Sequence, residues 1–143
     1  MPVLLVVEAE LAEQELFSAL LEKFEYSAMF VHSAEEALRA VSNSELIFDA
    51  ILMDLGSPHS NEAEAAGAIR QWEAENARKT PLIAITACDS DWGNIDFNAL
   101  GVDDCLSKPF QLEDLRRVLL KWTYNPARPN LRILPPSKSL ESA

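Results

Sequence analysis

The chain has 143 residues, of which 23 are acidic and 12 basic, for a formal net charge of −11. Nucleic acid is excluded as a direct partner on that balance, because phosphate binding is driven by Lys and Arg releasing counterions. The two cysteines, Cys88 and Cys105, lack CxxC or Cys/His spacing, which argues against a disulfide framework or a zinc site and reads as reduced, structural thiols of a cytoplasmic protein. No apolar run approaches membrane-spanning length, and the apolar start meets Glu8 too soon for a signal peptide, so no membrane partner is expected.

Residues 3–7 form a β-branched apolar run that reads as a buried first strand ending at Glu8-Ala9-Glu10. Leu16, Phe17, Leu20, Leu21 and Phe24 recur at helical spacing, giving a helix over about residues 11–25 with those side chains on its core face. A second strand follows at 28–31, and Ser33 with Glu36 forms a capping box for the helix carrying Ala37, Leu38 and Val41.

Ala50, Ile51, Leu52 and Met53 are too short a run for a helix and are followed by Asp54, Gly56 and Pro58, so they read as a third strand buried on both faces. Asn61 and Glu64 suggest the cap of a third helix, whose buried face is Ala65, Ala66, Ile69 and Trp72. A fourth strand covers 82–85, with Thr86 at its C-terminal end. Residues 89–100 read as a short or irregular helix closed by Gly101. A fifth strand covers 102–106, Ser107-Lys108-Pro109 is its exit loop, and Leu112, Leu115, Val118, Leu119 and Trp122 mark a last helix. Five strand-helix alternations predict an α/β fold with a doubly wound parallel sheet over residues 1–124. Residues 125–143 are rich in proline and polar residues and read as a tail or linker.

In such a sheet, ligands collect outside the carboxyl ends of the strands. Those ends carry Glu8, Asp54, Thr86 and Lys108: two acids, a hydroxyl and an amine. The set suits transfer of a phosphoryl group to a carboxylate, where an ionised acid attacks, a hard divalent cation neutralises the incoming charge, and donors hold the product oxygens.

With these pieces in place the chain resembles the receiver domains of two-component response regulators, from Val3 to about Trp122. The resemblance is carried by Leu5-Val6-Val7-Glu8, by Ile51-Leu52-Met53-Asp54 with Pro58, by Ala84-Ile85-Thr86-Ala87, and by the run from Gly101 to Phe110 that contains Ser107-Lys108-Pro109. It implies a five-stranded flavodoxin-like sheet of order 2-1-3-4-5. It also implies that Asp54 accepts a phosphoryl group from a histidine kinase or phosphotransfer protein, with self-phosphorylation and self-dephosphorylation as the most catalysis to expect. Glu8, Asp54 and the Gly56 carbonyl would serve Mg2+, Lys108 would pair with phosphoryl oxygens across a cis bond to Pro109, and Thr86 would be the switch, passing the signal to an unknown protein target.

Three positions depart from the family pattern. Ala9 stands where a second metal-site acid is usual, which implies weakened Mg2+ affinity. Cys105 replaces an aromatic, and Glu62 replaces a glycine after the third-strand loop, whose path should differ because Glu disfavours positive φ. Ala9 and Cys105 keep open an alternative, a phosphorylation-independent pseudo-receiver acting as a protein interaction module. A flavin or nucleotide enzyme on the same fold is disfavoured, because the loop after the first strand is acidic and free of glycine. His32 and His59 carry no catalytic pattern and read as loop or surface residues.

Overall fold

The alternation of buried runs and amphipathic stretches is realised, in chain order, as β1 (Val3–Val7), α1 (Leu11–Lys23), β2 (Ser27–Val31), α2 (Ala34–Val41), β3 (Ala50–Gly56), α3 (Asn61–Glu75), β4 (Leu82–Ala87), α4 (Phe97–Leu100), β5 (Asp104–Lys108) and α5 (Leu112–Thr123). These elements come from a computed structural model that describes residues 2–43, 45–56, 60–87 and 96–123. All strand pairs are parallel, in the order β2-β1-β3-β4-β5 that the resemblance implies. Parallel neighbours cannot be joined by a tight turn, and the intervening helices make the crossovers.

Successive side chains along a strand point to opposite faces, and the core divides accordingly. Leu5, Val7, Ile51, Met53, Leu82 and Ala84 pack with Ala37 and Val41 of α2 and Ala66 and Ile69 of α3. Leu4, Val6, Leu52, Ile83, Ile85 and Leu106 pack on the other face with Phe17 and Leu21 of α1 and Leu115 and Leu119 of α5. Covering both faces of β1, β3 and β4 is why their sequences are continuous apolar runs rather than alternating ones. Polar residues appear where those runs leave the sheet, so Glu8 and Asp54 come out at one edge.

Several boundaries shift from the sequence reading. The first helix ends at Lys23, because Glu25 adopts φ 67° while the Tyr26 amide closes back on the Leu21 carbonyl. Leu16 is 51% exposed; it lies roughly 100° round the helix from Phe17, beyond the stripe set by Gln14, Phe17 and Leu21. The third helix is capped by Ser60, whose hydroxyl accepts the Ala63 amide at 3.1 Å, and Asn61 is already helical. Trp72 is only half-buried, packing against the core on one side with Arg78 over its ring.

The fifth strand runs two residues later than its apolar run suggests. Its register follows β4 out to Ala87, which recruits Ser107 and Lys108 into the ladder, and Asp103 turns aside to accept the Leu82 amide at 2.9 Å. Cys105 is a free, exposed residue of this edge strand rather than a buried structural thiol. Glu62 lies within α3, so it faces no positive-φ demand. Residues 57–59 of the preceding loop, residues 89–95, Cys88, His59 and the 125–143 tail lie outside the described residues.

Candidate active site

Four strands deliver the site. Glu8 follows β1 and is 5% exposed, held there because its amide continues the ladder to the Val31 carbonyl. Asp54 lies near the end of β3. Directly after it the β3–β4 register slips: Asp54 faces Ile85 but Gly56 faces Thr86, a local irregularity of the kind that re-aims chains next to active sites. Thr86 is buried, opposite Ser107 in the next ladder. Lys108 ends β5, and its bond to Pro109 is cis, as the resemblance implies.

The predicted partners meet. Lys108 Nζ donates to Asp54 Oδ2 at 2.6 Å, and Glu13 Oε1, from the first turn of α1, lies 3.9 Å from the same amine. Glu8, Ala9, Glu10, His32, Asp54, Glu62 and Lys108 border one cavity of about 240 Å³. Thr86 does not line it. The slip in register brings the Gly56 backbone opposite Thr86.

The electrostatics are those of crowded acids around one amine. Burial pushes the Glu8 carboxyl above its ordinary range; the Glu10 amide works against this, the Asp54 charge adds to it and Lys108 opposes it. Glu8 Oε2 accepts the Glu10 amide at 3.2 Å, while Oε1 is buried without a hydrogen-bond donor. Burial pulls the Lys108 amine down, but the bond to Asp54 and the charges of Asp54, Glu8 and Glu13 outweigh it and hold the amine above the usual lysine value.

An orphaned, buried carboxylate oxygen beside a second carboxylate is the donor chemistry a hard divalent cation takes. Among the described residues no three metal-ligating side chains stand close enough to hold an ion by themselves. An ion here would complete its shell with backbone oxygen and water.

Sequence reasoning missed four neighbours. Glu13, Gln14 and His32 come from α1 and the end of β2, and Glu62 from the first turn of α3. Gln14 is buried and donates to the Glu8 carbonyl at 2.7 Å, with the His32 ring Nδ1 3.1 Å from the same nitrogen. Because Nε2 of Gln14 is a donor, that ring nitrogen must accept, which directs the proton of neutral His32 to Nε2. Its place in a core stripe hides Gln14's polar role, but Glu13 and Glu62 each fall in the first turn of a helix leaving the site edge, a signal that topology makes readable.

The family model for the response regulator receiver domain matches residues 4–120. The chain belongs to that family. It is 35% identical over 123 residues to the sensor protein GacS of Pseudomonas syringae pv. syringae, an alignment covering 85% of this chain and 13% of GacS. It is 30% identical over 119 residues to the transcription factor SKN7 of Saccharomyces cerevisiae, covering 82% of this chain and 18% of that protein. The receiver thus spans less than a fifth of either relative.

Among solved structures, this receiver is similar to that of the sensor histidine kinase PA1611 from Pseudomonas aeruginosa PAO1. The two share 30% identity and a TM-score of 0.72, over 87% of this chain and 98% of the other, which was crystallised with a magnesium ion coordinated in its active site cleft. It is also similar, at 27% identity and a TM-score of 0.73 over 85% and 90% of the two chains, to the Saccharomyces cerevisiae co-crystal of the phosphotransfer protein Ypd1 and the receiver domain of Ssk1. Among the described residues no helix is long and apolar enough to cross a membrane.

Proposed function

We propose that this receiver accepts a phosphoryl group on Asp54 from a histidine kinase or phosphotransfer protein in the cytoplasm, and signals through the conformation that the new group favours. The observation that carries the reading is the 2.6 Å contact between Lys108 Nζ and Asp54 Oδ2 at the mouth of an acidic cavity.

In the step itself an Asp54 oxygen attacks phosphorus, the bond from phosphorus to the donor's imidazole nitrogen breaks, and the electron pair leaves with that nitrogen. Asp54 becomes an acyl phosphate. Phosphoryl transfer of this kind is positioning and charge stabilisation more than covalent assistance. Lys108 is already placed to bond the developing oxygens, and the amine stays charged because the surrounding acids hold its pKa up.

Glu8, Asp54 and the Gly56 carbonyl would hold Mg2+, which neutralises the phosphoryl charge next to two carboxylates. Ala9 removes one acid from that set, and weakened Mg2+ affinity follows. Thr86 is buried near the end of β4, and its hydroxyl would turn toward an added phosphoryl oxygen, the local rearrangement through which such a charge acts on a surface.

The test is incubation of the chain with a small-molecule phosphodonor and Mg2+, followed by intact mass. Wild type gains one phosphoryl group and Asp54→Asn gains none; equal gain in both would move the acceptor elsewhere. A second reading, a phosphorylation-independent interaction module, draws on Ala9 and would be restored by wild type that never labels.

A further inference from the structure

We infer that Glu62 supplies, through a metal-bound water, the carboxylate that position 9 lacks, so that the cation site of this receiver is completed from α3 rather than from the loop after β1. The inference rests on the reading of the acidic cavity as an Mg2+ site, and adds to it a residue for which the resemblance supplies no role.

Three observations lead to it. The cavity is bordered by four acids, Glu8, Glu10, Asp54 and Glu62, with Lys108 as the lysine or arginine among the described lining residues. Glu8 is 5% exposed, and its Oε1 is buried there without a donor, so the charge imbalance is accompanied by an unfilled oxygen position. Among the described residues, the ligating side chains are too dispersed for three of them to grip an ion directly, which leaves water as the link. Mg2+ sheds its waters reluctantly and usually keeps several, and 240 Å³ has room for a few at about 30 Å³ each.

Glu62 is favoured over Glu10 by how each is held. Glu10 is exposed, makes no side-chain cap bond at the start of α1, and already gives its amide to Glu8. Glu62 is half-buried on the first turn of a helix pinned to the phosphoacceptor strand. The Ser60 hydroxyl that caps α3 donates to the carbonyl of Leu55, the residue after Asp54, and accepts the Ala63 amide at 3.1 Å. This double anchor fixes the first turn of α3 relative to Asp54, and a preorganised carboxylate orders a metal-bound water at little entropic cost.

The experiment titrates the full chain with Mn2+, reads free ion by electron paramagnetic resonance, and uses Mg2+ competition to identify the site. Outer carboxylates of this kind are worth about tenfold or more in metal affinity. Glu62→Gln should therefore weaken binding by about tenfold, while Glu10→Gln, which removes the same charge from the same cavity, stays within about twofold. Ala9→Asp should tighten binding and shrink the effect of Glu62→Gln in the double variant, the coupling expected when two groups serve one shell. Equal losses in Glu62→Gln and Glu10→Gln would reduce the effect to net charge and overturn the inference. Loss in Glu8→Gln with none in Glu62→Gln would overturn it while leaving the Mg2+ site standing, and absence of competable binding in wild type would overturn both.

Discussion

Lys108 and Asp54 are 54 positions apart in the chain, yet the amine of one donates to the carboxylate of the other at 2.6 Å. The contact exists because β3 and β5 run parallel in one sheet with β4 between them, so their C-terminal ends open on the same edge. Glu8 shares that edge and bears the cost of it: burial, with a second acid beside it, makes its carboxyl easier to protonate than an exposed one.

That cost gives stability a pH dependence with a definite sign. The Glu8 pKa is raised above the ordinary 4.5, so the folded chain holds a proton that the unfolded chain has released, and stability falls as pH rises from the ordinary carboxylate range through the folded value. Glu8→Gln should accordingly have a higher urea midpoint than wild type at neutral pH without added metal, and the gap should close as the pH is brought down toward 4.5. Lys108 works in the opposite range: its stabilising effect is complete below 10.5 and is lost only as pH climbs through its higher folded value. A Glu8→Gln variant less stable than wild type at neutral pH would contradict the assignment.

A second network, at the opposite edge of the sheet, governs stability without touching the chemistry. Arg70 donates to the Gly101 carbonyl and the Thr80 carbonyl, each at 2.7 Å, to Glu73 at 2.8 Å, and also to Asp103. Glu73 is only 2% exposed. Arg70→Met leaves that carboxylate without its cation and should cost about 3–5 kcal/mol by urea unfolding. Gly101→Ala should cost about 1 kcal/mol or more, because φ is +88° there and a Cβ would meet Arg70 Cγ at 2.5 Å. At a temperature where both variants remain folded, phosphodonor labelling should equal wild type; a parallel loss of labelling would tie this network to the site.

As the proposed switch, Thr86 should separate acceptance of the phosphoryl group from its readout. Thr86→Ala removes a hydroxyl that does not border the cavity, so labelling of Asp54 should persist within about threefold, well short of the hundredfold or more that losing a transition-state donor costs. What should fail is the response of β5, measured as amide chemical-shift changes at Cys105, Leu106 and Ser107 when the chain is phosphorylated. Full shifts in the variant would remove Thr86 from the switch.

How far the sequence carries depends on which force sets each feature. The strands are legible because burial on both faces demands apolar runs, and the run from Ile51 to Asp54 or from Leu4 to Glu8 has no other economical placement; their order is implied only by the family resemblance. Edges are less legible: Cys105 belongs to a strand with an outward-facing side, and its apolar character says nothing about which way it turns. The end of β5 is set by pairing with β4 out to Ala87, a long-range relation invisible in the local sequence. Glu8, Asp54, Thr86 and Lys108 could be found because each ends a strand, whereas Gln14 and His32 reach the site by a hydrogen bond between a helix and a strand end that spacing does not encode.

The central claim is that Asp54 carries the phosphoryl group, and its most direct measurement is chemical. Borohydride reduces an aspartyl phosphate to homoserine, so phosphorylation with a small-molecule donor and Mg2+, reduction, and peptide sequencing by mass spectrometry locate the acceptor. The expected result is homoserine at position 54 in phosphorylated wild type and nowhere in Asp54→Asn. Homoserine at another carboxylate with Asp54 untouched would contradict the account.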